Sequence, residues 1–378
     1  MADTSVASAA AQPAARRSAG LPFALLVLAG VAATTLFAGA RFGLMLVLGL
    51  GFGLVLEGLR FGFAGPWRQM ILRRDPGGIL AQLLSIGLVA LAAIPLLGTN
   101  AEELIGSQGR IGWAMVGGAF VFGTAMQVVL GCGSGTLVNA GSGNAVALVA
   151  LPLFCVGSLL GSLHMDWWTN LGALPPIVLS GGSGLALTLA LLAATAAIVL
   201  ARAAPGSRRI PGRYVLAAVL LAVLAIANLV VAGQPWGVVY GLGLWAAKGT
   251  AGLGVDLSAS GFWSAPINAA RLGASILTDY TSLTNIGMIL GAAWISMRRP
   301  GALDQPVPRL PAQAWVAAAL SGLVLGYSSR LAFGCNVGAF YSGIATGSLH
   351  GWVWFAAAFA GSVLGLRLRP WFGLEPRQ

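Results

Sequence analysis

Two cysteines in similar glycine-rich turns are the residues of this chain best suited to chemistry. Cys132 lies in the run Gly131-Cys132-Gly133-Ser134-Gly135, and Cys335 lies in Gly334-Cys335-Asn336-Val337-Gly338. Glycine lets backbone approach a ligand closely, and a thiol is a weak hydrogen-bond donor. If a half-helix begins at each turn, its free N–H groups and positive dipole end would favour an anion. Because apolar surroundings favour the protonated thiol, the pair would suit a soft, sulfur-bearing anion.

An internal repeat relates the two turns. Gly123 lies nine residues before Cys132, and Gly326 lies nine residues before Cys335. The match continues after each cysteine, at Gly157 and Gly161 in the first half and at Gly361 and Gly365 in the second. Segment 99–110 is acidic whereas segment 298–309 is basic, as expected for equivalent loops on opposite sides of a membrane. Inverted repeats of this kind place a substrate site at the midplane, on discontinuous helices.

Charged residues within apolar runs are further candidates for function. Arg330 lies five residues before Cys335, and Gln127 occupies the corresponding position of the first repeat. The Arg330 guanidinium could attract an anion to a vestibule, or it could snorkel to the lipid headgroups. Glu57 and Lys248 are expected to form a structural ion pair.

Other reactive or aromatic residues are expected to be structural. Cys155 lies in an apolar run without a glycine turn, and the odd number of three cysteines implies no disulfide framework. His164 and His350 are expected at helix ends with satisfied hydrogen bonds. The tryptophans are expected at the membrane interfaces, among them Trp167, Trp168, Trp352 and Trp354.

The motifs of common enzymes and pumps do not occur in the sequence. There is no His-Glu-x-x-His, no P-loop and no dinucleotide fingerprint. We therefore predict no catalytic residue, no cofactor and no metal site, and we expect that the protein is not an enzyme.

Composition restricts the chain to a membrane protein. Only 8% of the 378 residues are charged, against roughly 25% in soluble proteins, and 57% are hydrophobic. The mean hydropathy is +0.86. These values exclude a soluble globular enzyme, a disordered chain and a nucleic-acid binder, despite the net charge of +11. The apolar runs approach the roughly 20 residues of a spanning helix and lack the alternation of outer-membrane strands.

We predict an all-α polytopic membrane protein built from two pseudo-symmetric, inverted repeats. It should have about 9–11 spanning helices and re-entrant Gly-Cys segments, whose irregular backbone is tolerated only where protein or water satisfies it. The run at 21–40 resembles a signal peptide, but an uncleaved first helix is the default. The predicted divisions are a flexible cytoplasmic tail at 1–20, a first membrane repeat at 21–201, a basic linker at 202–213, a second membrane repeat at 214–368 and a tail at 369–378.

Charge predicts which loops face the cytoplasm, because basic residues accumulate on that side. Basic residues cluster at 60–74, 202–213, 298–309 and 367–377, and we place all four clusters, with both termini, in the cytoplasm. Segments 99–110 and 164–180 carry acidic residues and are placed outside. Segment 256–283 must then cross or re-enter the membrane, and charge does not decide between the two.

Several segments resemble the YeeE/YedE family of bacterial inner-membrane proteins. The resemblance is carried by Arg330-Leu331-Ala332-Phe333-Gly334-Cys335-Asn336-Val337-Gly338-Ala339-Phe340 and by Ser348-Leu349-His350-Gly351-Trp352. It extends to Gly131-Cys132-Gly133-Ser134-Gly135, to Arg60-Phe61-Gly62-Phe63-Ala64-Gly65-Pro66-Trp67-Arg68 and to Asn285-Ile286-Gly287-Met288-Ile289-Leu290-Gly291-Ala292. The resemblance as a whole spans residues 41 to 368, nearly the whole chain.

The resemblance implies a multi-pass permease of the inner membrane that takes up thiosulfate for sulfur assimilation. Cys132 and Cys335 would be relay thiols, and a small TusA-like sulfur-carrier protein would work beside the permease. Thiosulfate-type members carry a third cysteine in an Arg-Phe-Cys motif, where this chain has Gly62. The region around Asn336 and His350 is closer to the YedE branch, which is linked to selenium metabolism.

Three alternatives to thiosulfate uptake therefore stay open. The substrate could be another sulfur species or a selenium species. The protein could instead be a membrane sulfurtransferase, in which one cysteine accepts sulfane sulfur covalently, and this would require a thiolate near cations. A membrane scaffold without a substrate would leave the two matched turns unexplained.

Overall fold

The computed structural model describes residues 6–299 and 309–374. Helices account for nearly all regular structure in these ranges, and one short antiparallel strand pair joins β1 (Ile111–Gly112) to β2 (Ala173–Leu174). The first half holds α1 (Val6–Ala38), α2 (Ala40–Gly58), α3 (Ala64–Arg73), α4 (Gly77–Thr99), α5 (Trp113–Val129), α6 (Gly133–Gly141), α7 (Ala145–Leu163), α8 (Met165–Thr169) and α9 (Gly181–Ala201).

The second half begins after the basic linker. It holds α10 (Gly212–Ala232), α11 (Val239–Gly252), α12 (Gly261–Ser264), α13 (Pro266–Gly273), α14 (Tyr280–Arg298), α15 (Ala312–Leu331), α16 (Ser342–Ala345) and α17 (His350–Leu368). Short 3₁₀ helices occupy Ile276–Thr278 and Arg369–Phe372, and a π-helical turn occupies Asn336–Tyr341. The helix α1 begins at Val6, inside the segment predicted as a tail.

Nine segments within the described ranges are long and apolar enough to cross a membrane. Two of them, Trp113–Gly141 and Ala312–Ala345, join a long helix to the shorter one behind its Gly-Cys turn. The prediction of an all-α polytopic membrane protein is confirmed, at the lower end of the expected number of spans. The helix α11 has 14 residues and is shorter than the roughly 20 that a span needs.

The unsettled segment 256–283 contains no helix long enough to cross before α14 begins. Its helices α12 and α13 have four and eight residues, and α13 buries none of its residues. The segment returns to α14, which packs closely along α2. Residues 256–279 therefore form a surface element beside α11 rather than a span.

Long helices of the first half pack against long helices of the second half. The helix α5 packs against α17, and α15 packs against α7. Gly157 lies against the Leu323 carbonyl, and its counterpart Gly361 lies against the Phe120 carbonyl, so that neither position has room for a Cβ. Gly123 and Gly326 likewise lie against the carbonyls of Ala358 and Phe154. Glycines at matched sequence positions thus make matched contacts, as small residues do where membrane helices pack closely. The inverted orientation stays a prediction.

The predicted ion pair between Glu57 and Lys248 is wrong. The Glu57 carboxylate accepts a hydrogen bond from Arg299, and Arg60 Nη1 lies 3.6 Å from the same Oε1. Lys248 Nζ instead donates to the backbone carbonyls of Leu272 and Ala274, at 2.6 and 2.5 Å. The reason is the packing of α14 along α2, which brings the end of α14 to Glu57.

The interfacial prediction for the tryptophans is wrong for Trp354. Its ring is fully buried, and it packs 5.6 Å from Phe122 and 6.2 Å from Trp67 between ring centroids. Trp167, by contrast, is 61% exposed, as an interfacial residue would be. Trp354 differs because α17 lies against α5, which encloses this face of the helix.

Candidate functional site

Each Gly-Cys turn follows a residue in the left-handed region of backbone space. Leu130, the residue after α5, has φ of 52°, and Phe333, two residues after α15, has φ of 56°. Each precedes its cysteine by two positions. Bulky residues rarely adopt this conformation, so the surrounding packing must hold both breaks in place. The second turn also contains Gly334 at φ of 145°, a conformation that only glycine adopts readily.

Both cysteines cap a short helix that starts directly after them. Cys132 has φ −82° and ψ −171°, and Cys335 has φ −96° and ψ −167°. Cys132 Sγ accepts from Gly135 N at 3.4 Å and lies 3.3 Å from Ser134 Oγ. Cys335 occupies the same position before the π-helical turn, but its side chain makes no such hydrogen bond with that turn. The half-helices expected from the sequence are therefore present, as α6 and as the π-helical turn that runs into α16.

The two cysteine turns meet in the interior. Cys335 Sγ lies close to Gly133, the first residue of α6. A Cβ on Gly133 would lie only 2.9 Å from Cys335 Sγ, so the approach depends on glycine at this position. Both thiols are buried, with exposures of 1% for Cys132 and 0% for Cys335. Tertiary structure thus joins two half-helix N-termini that lie about 200 residues apart in the chain.

A cavity lies on each side of this cysteine pair. The larger, which we call the Arg330 cavity, has a volume of about 540 Å³ and is lined by Arg330, Phe333, Gly334 and Gly338 among others. The smaller, which we call the Glu57 cavity, has a volume of about 190 Å³ and is lined by Glu57, Gly62, Gly131, Cys132 and Gly135 among others. Equivalent glycines of the two turns therefore line different cavities, and the thiols lie between them.

Arg330 faces its cavity rather than the membrane surface. Its side chain is buried, with Nε donating to Ser158 Oγ at 2.9 Å and Nη2 to the Tyr240 carbonyl at 3.4 Å. The guanidinium also lies over the rings of Tyr240 and Phe262, at 5.4 and 5.0 Å from their centroids. Gly243 leaves the space that it occupies. Of the two alternatives from the sequence, snorkelling to the headgroups is excluded by this burial.

Asn336 stands next to Cys335 and is fully buried. Neither its amide nitrogen nor its amide oxygen has a hydrogen-bond partner among the described residues. Burying a polar group without a partner costs about 1–3 kcal/mol of folding free energy, which another interaction must offset. A ligand passing beside Cys335 would provide it.

Several residues around the cavities were not singled out by sequence. Ser107 Oγ donates to the Gly338 carbonyl at 2.7 Å, and Ser107 N donates to Thr346 Oγ1 at 3.0 Å. These two hydrogen bonds hold segment 105–108 beside the second turn. Arg271 and Trp236 line the Arg330 cavity. No local pattern could have found Arg271, because it lies in the polar segment 256–283. Gly62, noted only as a missing cysteine, lines the Glu57 cavity.

His350 has one of its two ring nitrogens satisfied. Nδ1 lies 2.7 Å from Ser348 Oγ at the start of α17, while Nε2 is buried without a partner among the described residues. His164 Nδ1 lies 3.0 Å from Tyr327 Oη at the end of α7. Both histidines are at helix ends, as expected, and the hydrogen bonding of His350 is less complete than predicted. Within the described ranges, no group of three or more His, Cys, Asp or Glu side chains could hold a metal ion.

The chain was compared with protein families and with curated proteins. A family model described as sulphur transport matches residues 59–364, which include both cysteine turns and all residues that line the Arg330 cavity. No curated protein matches the chain significantly.

Proposed function

Because the chain belongs to the sulphur transport family, the YeeE/YedE family of the sequence resemblance, we propose that it is an inner-membrane permease for thiosulfate or a related small sulfur-containing ion. The observation that carries the proposal is the meeting of the two buried cysteine turns, whose glycines line two different cavities. A substrate crossing from one cavity to the other would have to pass both thiols.

The site is built to hold a soft anion without covalent chemistry. Two helix starts, each with backbone N–H groups left free by the helix, meet beside the cysteine sulfurs, and helix N-termini favour negative charge. An ion passing here would accept hydrogen bonds from these N–H groups and from the thiols. Hydrogen bonds to a charged partner contribute about 1.5–3 kcal/mol each, which offsets part of the dehydration of the ion. The unpartnered amide of Asn336 supplies a further donor and acceptor beside Cys335.

The positions of the cavities support a proposed transfer path. The ion enters the Arg330 cavity, reaches Cys335 beside Gly334 and Gly338, passes to Cys132, and leaves through the Glu57 cavity. On the predicted sidedness this direction is uptake, since the acidic loop near the Arg330 cavity is external and the basic loops near the Glu57 cavity are cytoplasmic. A TusA-like sulfur-carrier protein would then receive sulfur on the cytoplasmic side.

The burial of both thiols weighs against the sulfurtransferase alternative. A persulfide must be presented to an acceptor thiol, and Cys132 and Cys335 are 1% and 0% exposed. A relay needs no such presentation, because the ion itself moves. A selenium species in place of thiosulfate would use the same site, since selenium is also soft.

Uptake of radiolabelled thiosulfate into cells tests the proposal. We expect Cys132→Ala and Cys335→Ala each to lower uptake about tenfold or more, because each removes a hydrogen bond of about 1.5–3 kcal/mol to the ion. Cys155→Ala, in α7 away from the turns, is the matched control and should keep normal uptake.

Normal uptake in both turn variants would refute the relay. Selenite is added as a competitor in the same assay. If the wild type takes up labelled selenite but no thiosulfate, the substrate belongs to the selenium class.

A further inference from the structure

The Arg330 cavity contains a second guanidinium from a separate part of the chain. Arg271 lies in α13, within the surface element 256–279, and lines the same cavity as Arg330. The two guanidiniums face one ring, that of Tyr240, at 5.0 Å for Arg271 and 5.4 Å for Arg330. Tyr240 Oη donates to Asn268 Oδ1 at 2.9 Å, which ties the ring to α13.

These two positive charges have no carboxylate partner among the described residues. Arg330 donates only to the neutral oxygens of Ser158 and Tyr240, and none of the described lining residues of the cavity is acidic. Asp279 is the nearby acid, and its Oδ1 accepts from Ser282 N at 2.7 Å, where it caps α14. Arg330 is buried, and because a buried charge is normally paired, the cavity lacks the negative charge that would balance it.

We propose that Arg271 and Arg330 form an entry subsite that binds the oxyanion end of a divalent anion before the ion reaches the thiols. The proposal rests on the proposed transport function and adds to it a recruiting site distinct from the cysteine pair. The guanidinium group matches this ligand, because its planar fork donates two parallel hydrogen bonds to an oxyanion. Both guanidiniums lie near the ring of Tyr240 and line the same cavity.

Selection then occurs in two stages. The entry subsite recognises negative charge and oxygen atoms, which sulfate and thiosulfate share. The thiols and half-helix ends beyond it recognise the soft terminal sulfur atom of thiosulfate, which sulfate lacks. Sulfate should therefore occupy the entry subsite and compete with thiosulfate for binding, without being transported.

Equilibrium binding of radiolabelled thiosulfate to the purified full-length protein tests this subsite. We expect Arg271→Gln to weaken binding about tenfold, since a charged hydrogen bond is lost. Arg330→Lys, which retains the charge at a buried position, should weaken binding by a smaller factor. Arg110→Gln is the matched control, because Arg110 is exposed and does not line the cavity. Unlabelled sulfate should displace thiosulfate from the wild type.

The Cys132→Ala/Cys335→Ala double variant separates this proposal from the relay. It should bind thiosulfate nearly as the wild type does while losing uptake. If Arg271→Gln binds as tightly as Arg110→Gln, or if sulfate does not compete, the subsite is refuted whatever the uptake assay shows. If the double variant transports normally but Arg271→Gln still binds weakly, the relay fails and the entry subsite stands.

Discussion

Gly133 shows how closely the site depends on single residues. A Cβ on this residue would lie 2.9 Å from Cys335 Sγ. At Gly135 a Cβ would lie 3.6 Å from Cys132 Sγ, an ordinary contact. The repeat therefore places glycines at matched positions, but the steric demand at Gly133 arises only because the two turns meet.

Asn336 offers a test in which stability and function should move in opposite directions. We expect Asn336→Leu to raise the melting temperature of the purified protein, because it removes a buried amide without described partners. Thiosulfate uptake should fall in the same variant, since the amide is proposed to contact the ion. Thermal unfolding and uptake are measured side by side.

Asn285→Leu is the control for this experiment. Asn285 is equally buried, but its Nδ2 donates to the Val238 carbonyl at 2.9 Å. Its replacement should lower the melting temperature, because that carbonyl loses its donor. If Asn336→Leu is as destabilising as Asn285→Leu, the Asn336 amide has a structural partner and is not free to bind an ion.

At the scale of elements, the packing of first-half helices against second-half helices brings the two cysteine turns together. The helix α15 of the second half lies against α7 of the first, and α5 lies against α17. Each contact is close because a glycine of one helix meets a carbonyl of the other. The ends of α5 and α15 are consequently held beside each other, and each end carries a cysteine turn.

Equivalent glycines should be equally sensitive to substitution. We expect Gly157→Ala and Gly361→Ala each to reduce the free energy of unfolding by about 1–3 kcal/mol, because the added Cβ overpacks against the carbonyls of Leu323 and Phe120. Gly117→Ala in α5 is the control, since nothing lies within 4 Å of a Cβ there. Thermal unfolding in detergent provides the measurement. A large loss in one variant and none in its counterpart would argue against equivalent packing.

At the scale of the whole molecule, the cysteine pair separates two cavities that should open to opposite sides of the membrane. The loop beside the Arg330 cavity contains Glu102 and Glu103, whereas Arg60 lines the Glu57 cavity. The ion pair of Glu57 with Arg299 joins α2 to the end of α14 at the rim of the Glu57 cavity. The arrangement favours a path through the protein rather than along its surface.

Labelling from each side tests this separation. In a variant whose three native cysteines are replaced by alanine, Gly62→Cys should react with a membrane-impermeant maleimide from the cytoplasmic side only. Gly62 lines the Glu57 cavity, and a Cβ there meets nothing within 4 Å. Gln108→Cys, which lines the Arg330 cavity, should react from the outside only. Reaction of both from one side would contradict the predicted sidedness.

Local features of the fold and site were predictable from sequence. Membrane helices depend on runs of apolar residues, and breaks depend on glycine near a polar or reactive residue, so both can be recognised within a short window. For this reason the polytopic all-α class, the breaks before Cys132 and Cys335, and the half-helices behind them were correctly predicted. The internal repeat further indicated that the two turns are equivalent.

Contacts between distant segments were decided by tertiary structure alone. The pairing of Glu57 with Arg299, the burial of Trp354 and the arrival of Arg271 beside Arg330 each depend on which helices pack together. The meeting of Cys335 with the start of α6 is of the same kind. Hydropathy reports whether a helix prefers lipid or water, but it does not identify the helix beside which it packs. That choice comes from the close fit of backbone against glycine across helices far apart in the chain.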